Sequence, residues 1–382
     1  MNSESSPSLR SRIGPPALST TVYSYSDWAQ VQSVWSELVE TSPYASFFLT
    51  REWVESWLEF YGDLLKPHIL VFHGEGNAVG ACLLVERTIF TGPFPVRCVF
   101  INTSGEDQIE ETCADFNNLL CLKGWEEAVA AALKVHLDQR SPDEISATGF
   151  AMGRPLDAMG TMFIERTRSD KIIPSFYVDL ARLRREELSY EDALSHKTRT
   201  NVRRRFRKYG TVQLEAASDV TTALRMFEEL TGLHQATWKA RGLAGSFASP
   251  RMVAFVRDII RRAFPLGAIQ LLRVATAEDT IGLKLNFVHR QKVYSYISGL
   301  SYDPDPQLSP GIVTLTACIR YCLEQGLDEY DFLAGNTEHK KQLSTNYRNL
   351  AWTVFQKPTA KMHLIKLIRE IKQRTIRQMN RR

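Results

Sequence analysis

No apolar run in this 382-residue chain approaches the roughly 20 residues that a bilayer-crossing helix needs. The opening stretch, MNSESSPSLRSRIGPPALSTT, has no apolar core of the kind a secretion signal carries, and residues 1–20 read as a disordered lead. A cytoplasmic protein with reduced thiols is therefore expected. Cysteine is scarce: Cys82, Cys98, Cys113, Cys121, Cys318 and Cys322, with no CxxC pair. Cys318 and Cys322 lie four apart on an expected helix with no histidine near them, which favours buried apolar thiols over a metal site. No Walker loop, dinucleotide fingerprint or Ser-His-Asp arrangement is evident.

The chain is 44% hydrophobic and 24% charged, ordinary for a soluble protein with a real core. Its net charge of +4 is unevenly spread. Residues 196–208 hold seven Lys/Arg and no acid, and residues 358–382 hold eight against one Glu. Two basic segments thus sit on an acidic body.

Periodicity and turn signals give one order of elements twice. In the first half, a strand at 21–25 precedes helices near 27–40 and 50–61, the second with Trp53, Trp57 and Phe60 on one face. Strands follow near 68–73, 78–86 and 96–101, then a helix at 125–139 and strands near 144–150 and 172–180. In the second half, a strand at 211–217 precedes helices near 219–237 and 250–263. Strands follow near 268–275, 280–289 and 292–300, then a helix at 309–326 and strands at "EYDFL" and 350–356. The expected architecture is α/β with mixed sheets: a first domain at 21–180, a basic linking helix at 181–210, a second domain at 211–357 and a basic amphipathic helix at 358–382.

Four segments of the second half, "SHKTRTNVRRRFRKYG", "LHQATWKARGLAGSFASP", "YSYISGLSYDPDPQLSPG" and "GLDEYDFLAGNTEHKKQLS", follow one another over residues 190–345. They resemble the GNAT-type acyltransferases of the CelD-like group, linked by name to cellulose biosynthesis and similar to the FemAB peptidoglycan aminoacyltransferases. The resemblance implies two tandem GNAT-like domains, in which two parallel strands splay apart to admit the arm of an acyl carrier.

The resemblance implies that the segment "LSPGIVTL" is the loop that holds the donor's phosphates. Ser309 can cap the helix and Pro310 suits its first turn, which would aim the amides of Gly311, Ile312 and Val313 at an anion. The family pattern is richer in glycine. That leaves acyl-CoA, an acyl carrier protein and aminoacyl-tRNA open as donors, and a plain helix start as the structural alternative. Tyr296 or Ser298, on the strand before that loop, could orient the amine or protonate a departing thiolate, or be rim residues of a half-buried strand. His234, Trp238 and Arg241 share one helical face and could bind an acceptor or simply pack. Asp331 could take the amine's proton or tie down the nearby turn, and Lys340 could grip an anion. Arg199 and Arg203, with Lys208 or Arg207, form a ridge that suits an anionic acceptor, RNA or solvent, while Val202 and Phe206 face the core. The apolar stripe of the tail (Met362, Leu364, Ile365, Ile368, Ile371, Ile376) with its cations (Lys361, Lys366, Arg369, Lys372, Arg377) could pack on the domain or meet an anionic membrane.

The function expected is an N-acyltransferase taking an acyl group from a thioester to an amine, in one reading of an amino sugar or other polysaccharide precursor. The alternatives are a FemAB-like transferase using aminoacyl-tRNA and a non-catalytic scaffold of a polysaccharide-assembly complex. No metal or tightly bound cofactor is expected.

Overall fold

The computed structural model describes residues 16–379 except Pro304 and Pro306, with side chains as far as Ile371. The first half runs β1 (Ser19–Ser24), α1 (Trp28–Thr41), α2 (Arg51–Leu65), β2 (His68–Gly74), β3 (Asn77–Thr91), β4 (Phe94–Ile101), β5 (Leu120–Cys121), α3 (Glu126–Arg140), β6 (Glu144–Ala151), α4 (Arg154–Met162) and β7 (Thr167–Asp179). A connection holds α5 (Leu180–Arg185) and the basic helix α6 (His196–Tyr209). The second half runs β8 (Gln213–Ala216), α7 (Val220–Ala240), α8 (Pro250–Ala263), β9 (Ile269–Ala275), β10 (Thr280–His289), β11 (Lys292–Leu300), α9 (Pro310–Glu324), β12 (Glu329–Ala334), α10 (Glu338–Leu343), β13 (Asn346–Gln356) and α11 (Ala360–Met379). The repeated order is present, with α4 and α10 as short helices that periodicity had not marked.

Helix α2 shows how local sequence sets an element. The Thr50 hydroxyl accepts from the Trp53 amide, and the four-residue spacing of Trp53, Trp57 and Tyr61 puts three fully buried rings on one face. Tyr61 takes the place expected for Phe60, which is only partly buried.

The described strands form one sheet, ordered β1-β2-β3-β4-β6-β13-β7-β12-β11-β10-β9-β8, with β5 beside β3. The closing strands are exchanged. β13, from the second half, pairs with β6 of the first, and β7, from the first half, pairs with β12 of the second. The two lie side by side, paired from Asn346↔Tyr177 to Gln356↔Thr167. One hydrophobic core spans both halves: Phe47 stacks on Phe287 at 4.2 Å, and Trp53 meets Phe255 at 5.1 Å. The halves therefore share a sheet and a core.

Each half contains one parallel strand pair, and each pair runs for three residues. Cys98–Phe100 of β4 lie against Glu144–Ser146 of β6, and Lys292–Tyr294 of β11 against Glu329–Asp331 of β12. Beyond those residues the strands part.

In the last helix, Met362 and Ile365 are buried against Val96 and Cys98 of β4. Lys361 pairs with Asp143 at 2.7 Å, and Arg369 with Glu144. The expectations for Lys372, Ile376 and Arg377 fall on side chains outside those described, and the expected lead falls largely outside the described residues. Among the described residues no helix is long and apolar enough to cross a membrane.

Candidate active site

The parting of β11 and β12 has a local cause. The Asp331 carboxylate accepts from the Leu333 amide at 2.8 Å, bending the strand back on itself. Leu333 and Gly335 then take positive φ, 60° and 146°. The freed backbone finds other partners: Ala334 N–H donates to Asp115 Oδ2 at 2.6 Å, and Lys340 Nζ donates to the carbonyls of Leu333 and Ala334 at 3.0 and 2.9 Å. Three side chains thus hold the end of β12 away from β11.

The gap opens into a cavity of about 740 Å³, whose lining includes Glu106, Asp115, Lys284, Tyr296, Lys340 and Trp352. A second cavity, of about 460 Å³, lies at the N-terminus of α9 against Tyr302, Ser309, Gly311 and Thr314. The two meet at Lys284, Ser298, Leu315 and His339, which line both.

Around the smaller cavity, Ser309 does not cap α9; its hydroxyl accepts from Arg205 of α6, which also donates to Gln307 O at 2.8 Å. Pro310, buried at the first turn, has no N–H to offer. The Ile312 and Val313 amides turn back on Ser309 O at 3.0 and 3.2 Å, so of the three amides expected to face an anion only that of Gly311 has no partner among the described residues. Val313 is fully buried and lines neither cavity. Thr314 also lines this cavity, and its buried hydroxyl has no hydrogen-bond partner among the described residues.

Other residues singled out in the sequence take varied places. Asp331 is fully buried outside both linings: Oδ1 also accepts from Ser175 at 2.6 Å, and Oδ2 lies 3.3 Å from Lys292 Nζ and 3.8 Å from Arg348 Nε. His234 ties α7 to β11 through Ser298 O at 3.1 Å and accepts from the Ser246 amide at 3.4 Å; burial pushes its pKa down against the opposing pull of the Ser298 carbonyl. Arg241 lies over Trp238 at 5.6 Å and over Tyr302 at 5.7 Å, clasping the loop that walls the smaller cavity instead of reaching the larger one. Tyr296 lines the larger cavity, but its hydroxyl donates to Thr112 O at 2.8 Å. Arg199 pairs with Asp192 at 3.2 Å, and Arg203 is exposed on α6.

The sequence reading missed the acidic wall, because that wall comes from the first half. Residues 103–118 carry Glu106, Asp107, Glu110, Glu111 and Asp115 and no Lys or Arg, a run that could have drawn notice. Burial pushes Asp115 up to about 7 against the opposing pull of the Ala334 N–H and Lys340. Burial also raises Glu106 to about 7, although it accepts from the Trp57 indole and from Thr112. Lys284 goes the other way, to about 8, through burial and the nearby Lys340. Carboxylates poised near neutrality in a cavity can exchange protons with a bound amine.

No curated protein matches the chain. Residues 196–341 match the acetyltransferase (GNAT) domain family. Among solved structures, FemX superposes with a TM-score of 0.57 at 12% identity, over 88% of this chain and 98% of its own. The C-terminal domain of a candidate lysylphosphatidylglycerol synthetase from Agrobacterium fabrum superposes at 0.52 and 10% identity, over 90% and 96%. A protein of unknown function from Bacteroides thetaiotaomicron superposes at 0.51 and 9%, over 89% and 100%. These likenesses are of fold, and the matched residues 196–341 hold the strands β11 and β12 that part.

Proposed function

We propose that the cleft between β11 and β12 transfers an acyl group from an acyl thioester to an amine. The observation that carries this reading is the pair of joined cavities, one at a helix N-terminus and one lined by carboxylates, meeting where the parallel strands part. The donor's phosphates sit by α9, where the Gly311 amide and the helix dipole favour an anion. Its acyl carbonyl lies along β11 beyond Tyr294, where the edge facing β12 has no strand partner and can receive an oxyanion. The acceptor enters the larger cavity as an ammonium drawn by Glu106, Glu111 and Asp115. Asp115 takes its proton, leaving an amine that attacks the thioester carbon. Phe100, Tyr296 and Trp352 supply ring faces beside those acids, which suits an amino sugar of a polysaccharide precursor. Incubation with acetyl-CoA and longer acyl-CoAs, followed by thermal melting and thiol release, tests the reading. Stabilisation and acceptor-dependent thiol release are expected; their absence with every acyl-CoA and acyl carrier protein overturns it.

A second donor, aminoacyl-tRNA, is favoured by one observation. Arg203, Arg204, Arg207 and Lys208 are exposed on the same helix whose Arg205 grips the loop of the smaller cavity. Tight tRNA binding that weakens steeply with salt, without binding of acyl-CoA, would select it. Peripheral contact with an anionic membrane is supported by Leu364 and Leu367, which are exposed on α11 beside Lys366.

A further inference from the structure

Lys284, on β10, stands where the two cavities join. It is 9% exposed, and its Nζ has no hydrogen-bond or ion-pair partner among the described residues. The stem is packed while the Nζ keeps contact with the cavity space, and no carboxylate among the described residues pairs with it to hold its proton. The elements around it supply few titratable groups. β9 places Leu272 opposite it and β11 places Ser298. α9 presents the Cys318 thiol, and α10 brings His339 and Lys340. The acids that line the cavities are Glu106, Glu111 and Asp115 on the acceptor side and Asp303 on the donor side. A lysine kept in such a place has the position of a reacting group: any acyl carbon that bridges donor and acceptor must pass it.

We propose that Lys284 is the general acid of the transfer, giving its proton to the thiolate that leaves the acyl donor. This rests on the acyl-transfer reading above and adds the step that reading leaves open. The acceptor nitrogen forms the C–N bond, the C–S bond breaks, and the sulfur takes the proton from Lys284 Nζ. The nitrogen sheds two protons: Asp115 takes the first before attack and passes it to water in the open cavity, then takes the second as the C–N bond forms, and Lys284 is reprotonated from the same water, so each turnover of an ammonium acceptor releases one proton. The products are an amide and a thiol.

Tyr296 is the obvious rival, and its geometry argues against it. Its hydroxyl proton is committed to Thr112 O at 2.8 Å, and burial raises its pKa well above the ordinary value. Burial and Lys340 instead bring Lys284 down to about 8, near the value of about 8.5 for a simple thiol, so the transfer is close to balanced.

The test compares the wild type with Lys284→Met and Lys284→Arg on acetyl-CoA and on an aryl thioester of the same acyl group, whose thiolate leaves without help. Circular dichroism melts confirm that each variant is folded. Both variants should lose about 10²-fold or more in kcat on acetyl-CoA. Arg fails with Met because its guanidinium keeps the charge but does not release the proton. On the aryl thioester both should stay within about threefold of the wild type, and the wild-type rate on acetyl-CoA should fall above pH ~8. Equal slowing on both donors, or full activity in Lys284→Arg, overturns the acid role while leaving acyl transfer standing. A wild type that turns over no thioester overturns the acyl-transfer reading and the acid role with it.

Discussion

The two halves carry the same splay and treat it in opposite ways. In the first half, β4 and β6 part after Phe100 and Ser146, and the gap is filled by the chain itself: Asn117 bridges to Phe150, donates from its amide to Gly149 O at 3.0 Å and accepts from Asn102 Nδ2 at 2.9 Å. At the start of α3, where an anion would sit, the buried Glu126 carboxylate accepts from the Gly124 amide at 2.9 Å and from the Tyr44 hydroxyl. In the second half, the gap is a cavity, and at the start of α9 the Gly311 amide and the Thr314 hydroxyl have no partner among the described residues. The segment that plugs the first gap continues as the wall of the second, with Thr112, Cys113 and Asp115 on it. One half has closed its own cleft and lends its acids to the other.

The largest effects should fall on the lent acids. Asp115→Asn is expected to lower turnover at least ~10²-fold, while Glu126→Gln, at the matching plug, should leave turnover unchanged and lower the melting temperature. A loss of turnover in Glu126→Gln would break the comparison. The sign of the pH effect follows from the raised carboxyl. Asp115 rises from 3.8 to about 7, so between those values the folded chain holds a proton that the unfolded chain has lost. Its contribution to stability therefore falls as pH rises through that window. Asp115→Asn should be more stable than the wild type at pH 8, by up to roughly 4 kcal/mol, and close to it at pH 4. Denaturant melts at the two pH values check this.

Asp331 sharpens the same contrast from inside the open half. Its carboxylate bends β12 and balances Lys292 and Arg348, facing a buried network and not the cleft. Asp331→Asn should cost roughly 3 kcal/mol in urea unfolding, because two cations are left facing Glu329 alone. Full stability with lost turnover would return Asp331 to the chemistry. Next in size is the open helix start. A side chain at Gly311 meets Leu300 Cδ1 at 3.3 Å and covers the free amide, so Gly311→Leu should weaken acyl-CoA binding about tenfold in a folded protein. Unchanged affinity by calorimetry removes the donor from α9.

Element order was legible because each strand and helix writes its own period, and Ser, Pro and Gly mark where helices start and stop. The exchange of β7 and β13 was not legible, since a strand's alternation does not say which strand it pairs with. Position alone left Asp331 two roles, taking the amine's proton or tying down the turn, because strand alternation does not choose between them. The bond from its carboxylate to the Leu333 amide, and the positive φ that follows, break the alternation just there. Asp115 and Glu106 escaped because no motif in residues 103–118 says that the loop crosses to the other half; only three-dimensional closure brings it to Ala334. Lys284 lay inside an apolar strand, where a single lysine reads as a rim residue until its burial is seen.

The smallest expected effect concerns a third crossing. Helix α11 follows β13 in the second half, yet it buries Met362 and Ile365 on β4 of the first. Two of its cations are already committed, Lys361 to Asp143 and Arg369 to Glu144, which reduces the charge left for an anionic surface. Each remaining cation near such a surface adds about 1 kcal/mol at low salt. The apolar stripe is divided in the same way, with Met362 and Ile365 inward and Leu364 and Leu367 45% and 53% exposed. Deleting the helix would strip the cover from Val96 and Cys98 and confuse docking with stability. The double variant Leu364→Glu with Leu367→Glu leaves the buried face intact. It should melt within a few degrees of the wild type, yet bind vesicles containing anionic lipid about threefold more weakly in low-salt co-sedimentation. Equal binding by the two proteins would assign α11 wholly to the first half as a packing helix, and the exchange between the halves would then be its only role.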